Sequence, residues 1–147
     1  MQEIIPSVEK YDALCAEEAA GPNALVVFGA SGDLTHRKLL GSLFKLFSEG
    51  LLSERFYFLG SGRKEFSDAH FRDKAGQSIR EHSDSLSSET LDAFASKLYY
   101  LPGDYDDEGF YRRIKARLAE LSQKHNVHES VVFYLAVPPA VYPVIVE

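Results

Sequence analysis

Gly29, Ala30, Ser31 and Gly32 follow the five apolar residues Ala24 to Phe28 and precede Leu34, Leu39, Leu43, Phe44 and Phe47, which recur at helical spacing. A continuous apolar run reads as a strand buried on both faces. A helix start leaves backbone N–H groups without partners and carries partial positive charge. Glycines let that backbone turn tightly and meet a phosphate with no Cβ between. Strand, Gly-rich turn and helix together predict a pyrophosphate cradle, the opening of a dinucleotide-binding fold. The letters depart from Gly-x-Gly-x-x-Gly: Ser31 takes the place of the second glycine and Leu34 that of the third. An ordinary strand-to-helix turn capped by Ser31 or Asp33 is the competing account.

A second cluster, Gly60-Ser61-Gly62-Arg63-Lys64, stands after the next apolar run, with no acid before Glu65. A site for an unphosphorylated ribose places an acid there to hold the 2′-hydroxyl. Arg63 suits a 2′-phosphate, as a bidentate partner or stacked on the adenine. The two clusters together favour NADP over NAD. Thr35-His36-Arg37-Lys38 places bases in the first helical turns, where the dipole disfavours them. An anion nearby would offset that cost. Without one, His36 and Arg37 face water, and for His36 alone this plainer reading is preferred.

Other groupings carry less. Tyr111 and Lys115 match the Tyr-x-x-x-Lys pair of short-chain dehydrogenases, but they precede the fourth strand, and a nucleotide-sugar epimerase or short-chain reductase would depend on them alone. His70, His82, His125 and His128 have no ligand-like spacing, so no metal is expected. Asp104, Asp106, Asp107 and Glu108 read as an acidic helix start.

The elements that must position these residues alternate strand with helix. Strands are expected near 24–29, 55–60, 98–101 and 130–137. Helices are expected at 33–49, ended by Gly50; from a Ser67 cap to His82; over Leu91, Phe94 and Ala95; and from an Asp106 or Asp107 cap to His125-Asn126. A last segment begins at Ala140. This order predicts an α/β fold, a Rossmann-like, doubly wound parallel sheet, with no fifth strand. Residues 1–23 read as an extension, partly disordered or a short helix carrying Val8, Tyr11, Leu14 and Cys15 after Ser7. Residues 24–147 are read as the dinucleotide-binding domain, incomplete at its C-terminus.

The 147 residues carry a net charge of −6 and one cysteine. The acidic balance argues against a nucleic-acid partner. A lone Cys15 allows no internal disulfide and is read as inert. No run approaches a membrane span, and the acidic start fits no leader. The cytoplasm is the expected compartment.

The segment Gly29-Ala30-Ser31-Gly32-Asp33-Leu34-Thr35-His36-Arg37-Lys38-Leu39 resembles the fingerprint of the glucose-6-phosphate dehydrogenases. Leu59 to Arg63, Gly103 to Asp107 and Phe133 to Tyr142 are similar to further family segments, in the same order. The resemblance covers residues 24–147 and the family's N-terminal coenzyme domain. It implies NADP as cofactor and, for a full-length enzyme, oxidation of glucose 6-phosphate at C1 to the 6-phosphogluconolactone, with hydride transfer to NADP. By position, Gly29, Ala30, Ser31, Gly32, Asp33, Leu34, Thr35 and His36 would cradle the pyrophosphate. Arg63 would take the 2′-phosphate, and Tyr142 would approach the nicotinamide side with the backbone of Ala136 to Pro139. Lys38 is the one residue carried towards the substrate. The family's Glu-Lys-Pro and Arg-Ile-Asp-His-Tyr segments, its histidine base and its C-terminal α+β domain have no counterpart here. No catalytic base is therefore assigned, this chain alone is expected to be inactive, and the homo-oligomer expected of the full-length protein would form elsewhere. A stand-alone NADP-binding regulatory or sensor module is the alternative. The family's aromatic-proline pair after the fingerprint is replaced by Leu40-Gly41. That change predicts a regular helix with a mid-helix glycine costing about 1 kcal/mol relative to alanine.

Overall fold

The computed structural model describes residues 19–83, 86–128 and 130–147. The expected short helix with Cys15 lies outside them. Four parallel strands, β1 (Ala24–Phe28), β2 (Tyr57–Gly62), β3 (Leu98–Pro102) and β4 (Val131–Leu135), pair in the order β3-β2-β1-β4. The helices are α1 (Leu40–Ser48), α2 (Asp68–Glu81), α3 (Ser88–Ala95), α4 (Glu108–His125) and α5 (Tyr142–Val146). The predicted α/β, doubly wound architecture is present.

Alternation along the strands divides the core. Val27, Phe58, Leu98 and Tyr100 meet α1, α2 and α3 through Leu40, Phe44, Phe71, Ile79 and Phe94. Ala24, Val26, Phe28, Leu59 and Tyr99 meet α4 through Phe110, Ile114 and Leu121 on the other face. β1 is central and buried, as its apolar run requires. β4 is an edge strand, and Val132 and Phe133 stay 52% and 57% exposed.

Caps follow the sequence. Ser67 accepts the His70 N–H (3.1 Å), and of the two acids offered for α4 it is Asp107 that caps, accepting the Gly109 N–H (2.9 Å). Asn126 closes α4 in the left-handed region at φ 55°.

Three expectations are corrected. β2 runs on through Ser61 and Gly62, so the loop begins at Arg63. β4 stops at Leu135, two residues short of the expected Val137. Leu40-Gly41 does not yield a regular helix: residues Thr35–Leu39 form a π-helical turn in which the Leu40 N–H reaches the Thr35 carbonyl. The wider turn places residues five apart on one side. Thr35 and Leu40 are both fully buried, whereas Leu34, expected on the apolar face, is 45% exposed.

Candidate functional site: the Gly-rich turn at the strand ends

β1 lies between β2 and β4, so the chain winds away from it in both directions. The crevice at the carboxyl ends of such strands is where open α/β sheets bind ligands. The Gly-rich turn emerges from β1 into this crevice.

Gly29 adopts φ +86°, and a Cβ there would stand 2.2 Å from the Ala136 carbonyl oxygen. Only glycine permits both that conformation and that contact. The turn is tied to β2 by its first two residues, since the N–H groups of Gly29 and Ala30 both donate to the Ser61 carbonyl (2.9 Å each). Their amides therefore face the sheet, and these two residues shape the turn. The Gly32 N–H returns to Gly29 O (3.0 Å), and the Thr35 hydroxyl donates to the same carbonyl (3.4 Å). Among the described residues, no acceptor serves the N–H groups of Ser31, Asp33 and Leu34. Three unpaired amides at a helix start are the means of holding an anion.

Close packing sets the turn against β2. A Cβ on Gly60 would lie 2.6 Å from the Ala30 methyl, and one on Gly62 would lie 2.6 Å from Ser31 Oγ. Beside them the Tyr100 hydroxyl donates to the Lys64 carbonyl (2.8 Å). Burial pushes that phenol up to about 12, against the opposing hydrogen bond to Ser31.

Arg63 leaves the end of β2, exposed, with Lys64 next to it. It directly follows Gly62, where a Cβ would lie 2.6 Å from Ser31 Oγ, so the backbone of Arg63 starts beside the turn. Tyr142 opens α5 on the β4 side and is 38% exposed. Arg37 is ion-paired with Asp33 (3.2 Å), which answers the dipole cost of its position without an anion.

His36 is corrected. It is half-buried rather than simply facing water: the ring packs on Phe71 (centroids 5.7 Å apart), and its Nε2 is buried with no hydrogen-bond partner among the described residues. Burial lowers its pKa, Lys74 and then Lys64 push the same way, and Asp33 opposes them. Lys38 is exposed and lines a cavity of about 740 Å³ with Gly41, Lys45 and His82. That cavity does not include the Gly-rich turn. The Tyr111 hydroxyl is occupied in donating to the Tyr105 carbonyl (2.7 Å).

One residue of the site escaped sequence reasoning. Tyr105 accepts the Gly29 N–H at 2.7 Å and lies within 3.4 Å of Ser61 O, although 76 residues separate it from Gly29. Its only signal was its place in the segment Gly103 to Asp107.

The family described as glucose-6-phosphate dehydrogenase, NAD binding domain, matches residues 26–147. The glucose-6-phosphate 1-dehydrogenase of Aggregatibacter actinomycetemcomitans is 38% identical over 123 residues, 84% of this chain and 25% of that protein. That of Schizosaccharomyces pombe is 37% identical over 120 residues, covering 81% and 24%. A solved glucose-6-phosphate dehydrogenase in complex with glucose 6-phosphate superposes with a TM-score of 0.77 at 28% identity, over 88% of this chain and 27% of that one. The chain thus spans about a quarter of the length of these relatives. With the match running from β1 to the last residue and the parallel fold shared, this chain belongs to the glucose-6-phosphate dehydrogenase family, in the region of its NAD binding domain.

Proposed function

We propose that residues 24–147 are the NADP-binding portion of a glucose-6-phosphate 1-dehydrogenase. The observation that carries this reading is the trio of unpaired amides at Ser31, Asp33 and Leu34 at the β1 crevice, with Arg63 at the adjoining strand end. The residues present fit a dinucleotide: Gly29 offers no Cβ, and the turn closes on β2 without consuming those amides. Ser31, Asp33 and Leu34 would hold the pyrophosphate, with Gly29, Ala30, Gly32 and Thr35 shaping the loop. Arg63 would hold the 2′-phosphate through its guanidinium fork. Tyr142 would border the nicotinamide side; Lys38, given to the substrate's side by resemblance alone, lines a cavity apart from the Gly-rich turn. His36 would stand behind the cradle, its ring on Phe71.

Bound NADP supplies the acceptor for the C1 hydride of glucose 6-phosphate, and the chain's part is to bind and orient it. The names of the relatives support this activity for a protein of their length. The reading includes a cytoplasmic protein whose partners are NADP and glucose 6-phosphate, with no nucleic acid or membrane among them. Oligomer contacts are assigned to the remainder of the relatives' length.

The test is a melting experiment paired with an assay. NADP is expected to raise the melting temperature of the 147-residue chain, by ligand linkage. The same chain with glucose 6-phosphate should form no NADPH. A melting temperature unmoved by millimolar NADP contradicts the binding reading, and steady NADPH formation contradicts the assignment of catalysis to the longer protein.

A further inference from the structure

Tyr105 stands in the loop between β3 and α4, far in sequence from both cradle segments. Its ring is 6% exposed and packs edge-on against Phe28 (5.9 Å, 72°) and Phe110 (5.8 Å, 67°). The loop that carries it is fixed at three points. The Gly103 N–H donates to Gly62 O (3.0 Å), the Phe110 ring fills the space where a Gly103 Cβ would stand, and the Tyr111 hydroxyl donates to Tyr105 O. The Tyr105 phenol is thereby delivered to one place, between Gly29 N–H (2.7 Å) and Ser61 O (3.4 Å). A phenol offers one donor and an acceptor face, and here both are used.

Gly29 N–H is shared between the phenol and Ser61 O, so the phenol is the third member of a clamp joining the end of β1 to the end of β2. One end begins the pyrophosphate cradle. The other leads directly to Arg63. We propose that the Tyr105 hydroxyl is a positioning group for the cofactor site, locking Gly29 in its left-handed conformation and fixing the free amides of the turn relative to Arg63. It touches no ligand and acts through Gly29 and Ser61. The inference rests on the NADP reading for its functional consequence, while the clamp itself is testable without cofactor.

Tyr105→Phe removes the hydroxyl and keeps the ring, and Tyr57→Phe, which removes a buried hydroxyl bonded to Ser122 (2.8 Å) at the opposite end of β2, is the control. Amide hydrogen exchange by NMR is followed on the cofactor-free chain, together with titrations of NADP and of 2′-AMP, which has the 2′-phosphate but no pyrophosphate. In Tyr105→Phe the Gly29 amide is expected to exchange several-fold faster while Val26 and Val27 in β1 hold their rates. NADP affinity should fall about fivefold to tenfold, the size of one lost hydrogen bond. Affinity for 2′-AMP should stay within twofold, and Tyr57→Phe should leave NADP binding unchanged. Gly29 exchange and NADP affinity unchanged in Tyr105→Phe would overturn the proposal. Equal losses of NADP affinity in both variants, tracking their melting temperatures, would overturn it too, because they mark a merely structural effect. Faster Gly29 exchange with no NADP binding by any form would support the clamp and refute the cofactor reading alone.

Discussion

At the scale of single residues, the site depends on places where a side chain is missing. Gly60 and Gly62 read locally as the beginning of a loop, yet both lie in β2, where the missing Cβ atoms admit Ala30 and Ser31 from a segment about thirty residues earlier. Their two substitutions should differ. Gly60→Ala drives one backbone-anchored methyl into another at 2.6 Å, whereas Gly62→Ala meets two side-chain ends, Ser31 Oγ at 2.6 Å, which can rotate, and the Tyr100 hydroxyl at 2.9 Å. Gly60→Ala is expected to cost about 1–3 kcal/mol in urea unfolding, as overpacking does, and Gly62→Ala less. Equal costs would show that the turn yields as a body. His36 gives a pH signature. Its folded pKa is lowered below the ordinary 6.5, chiefly by burial, so the unfolded chain takes the proton first. Stability is then full above pH 6.5 and falls as the pH drops through 6.5 towards the lowered value. His125, lowered by burial and by Lys97 and Lys124, adds in the same direction. Unfolding midpoints from pH 7.5 to 5 should decline less steeply in His36→Gln than in the parent chain, and parallel declines would remove His36 from this account.

Elements were legible where the signal is local. Asp107 shows this: an acid immediately before an apolar 3.6-residue period announces a helix start, and it does cap α4. Asp107→Ala is expected to cost about 1 kcal/mol by the same unfolding measurement, and an unchanged midpoint would mean that water serves the Gly109 amide equally well. The π-helical turn was not legible. Leu34, Leu39 and Leu43 satisfy a regular helical period in the letters, but the requirement that Thr35 reach Gly29 O and Leu40 enter the core comes from the sheet beneath. The two sheet edges were equally hidden. β3 has its outer edge covered, with Asp68 accepting the Tyr100 N–H (2.8 Å) and Arg72 donating to Leu98 O (2.8 Å). β4 is outermost on the other side among the described strands, and its apolar letters resemble those of β1. Equal composition does not distinguish a central strand from an edge, because that depends on pairing order.

For the whole molecule, alternating strands and helices were enough to read a doubly wound parallel sheet, since short crossovers allow few other arrangements. The sheet in turn fixes where a ligand site belongs, at the β1 crevice. Ser31 of the Gly-rich turn abuts Gly62, the residue before Arg63, while Lys38 lines a separate cavity and Tyr142 stands on the β4 side. The proposed reading puts cofactor choice on the β2 side of the crevice. Isothermal calorimetry of the 147-residue chain with NADP and with NAD, repeated for Arg63→Ala, tests this most directly. The account predicts that NADP binds at least tenfold more tightly than NAD, about the 1.4 kcal/mol expected of one charge-assisted phosphate contact. It also predicts that Arg63→Ala removes this difference while leaving NAD affinity in place. Equal affinity for the two cofactors in the parent chain, or a preference that survives Arg63→Ala, would contradict it.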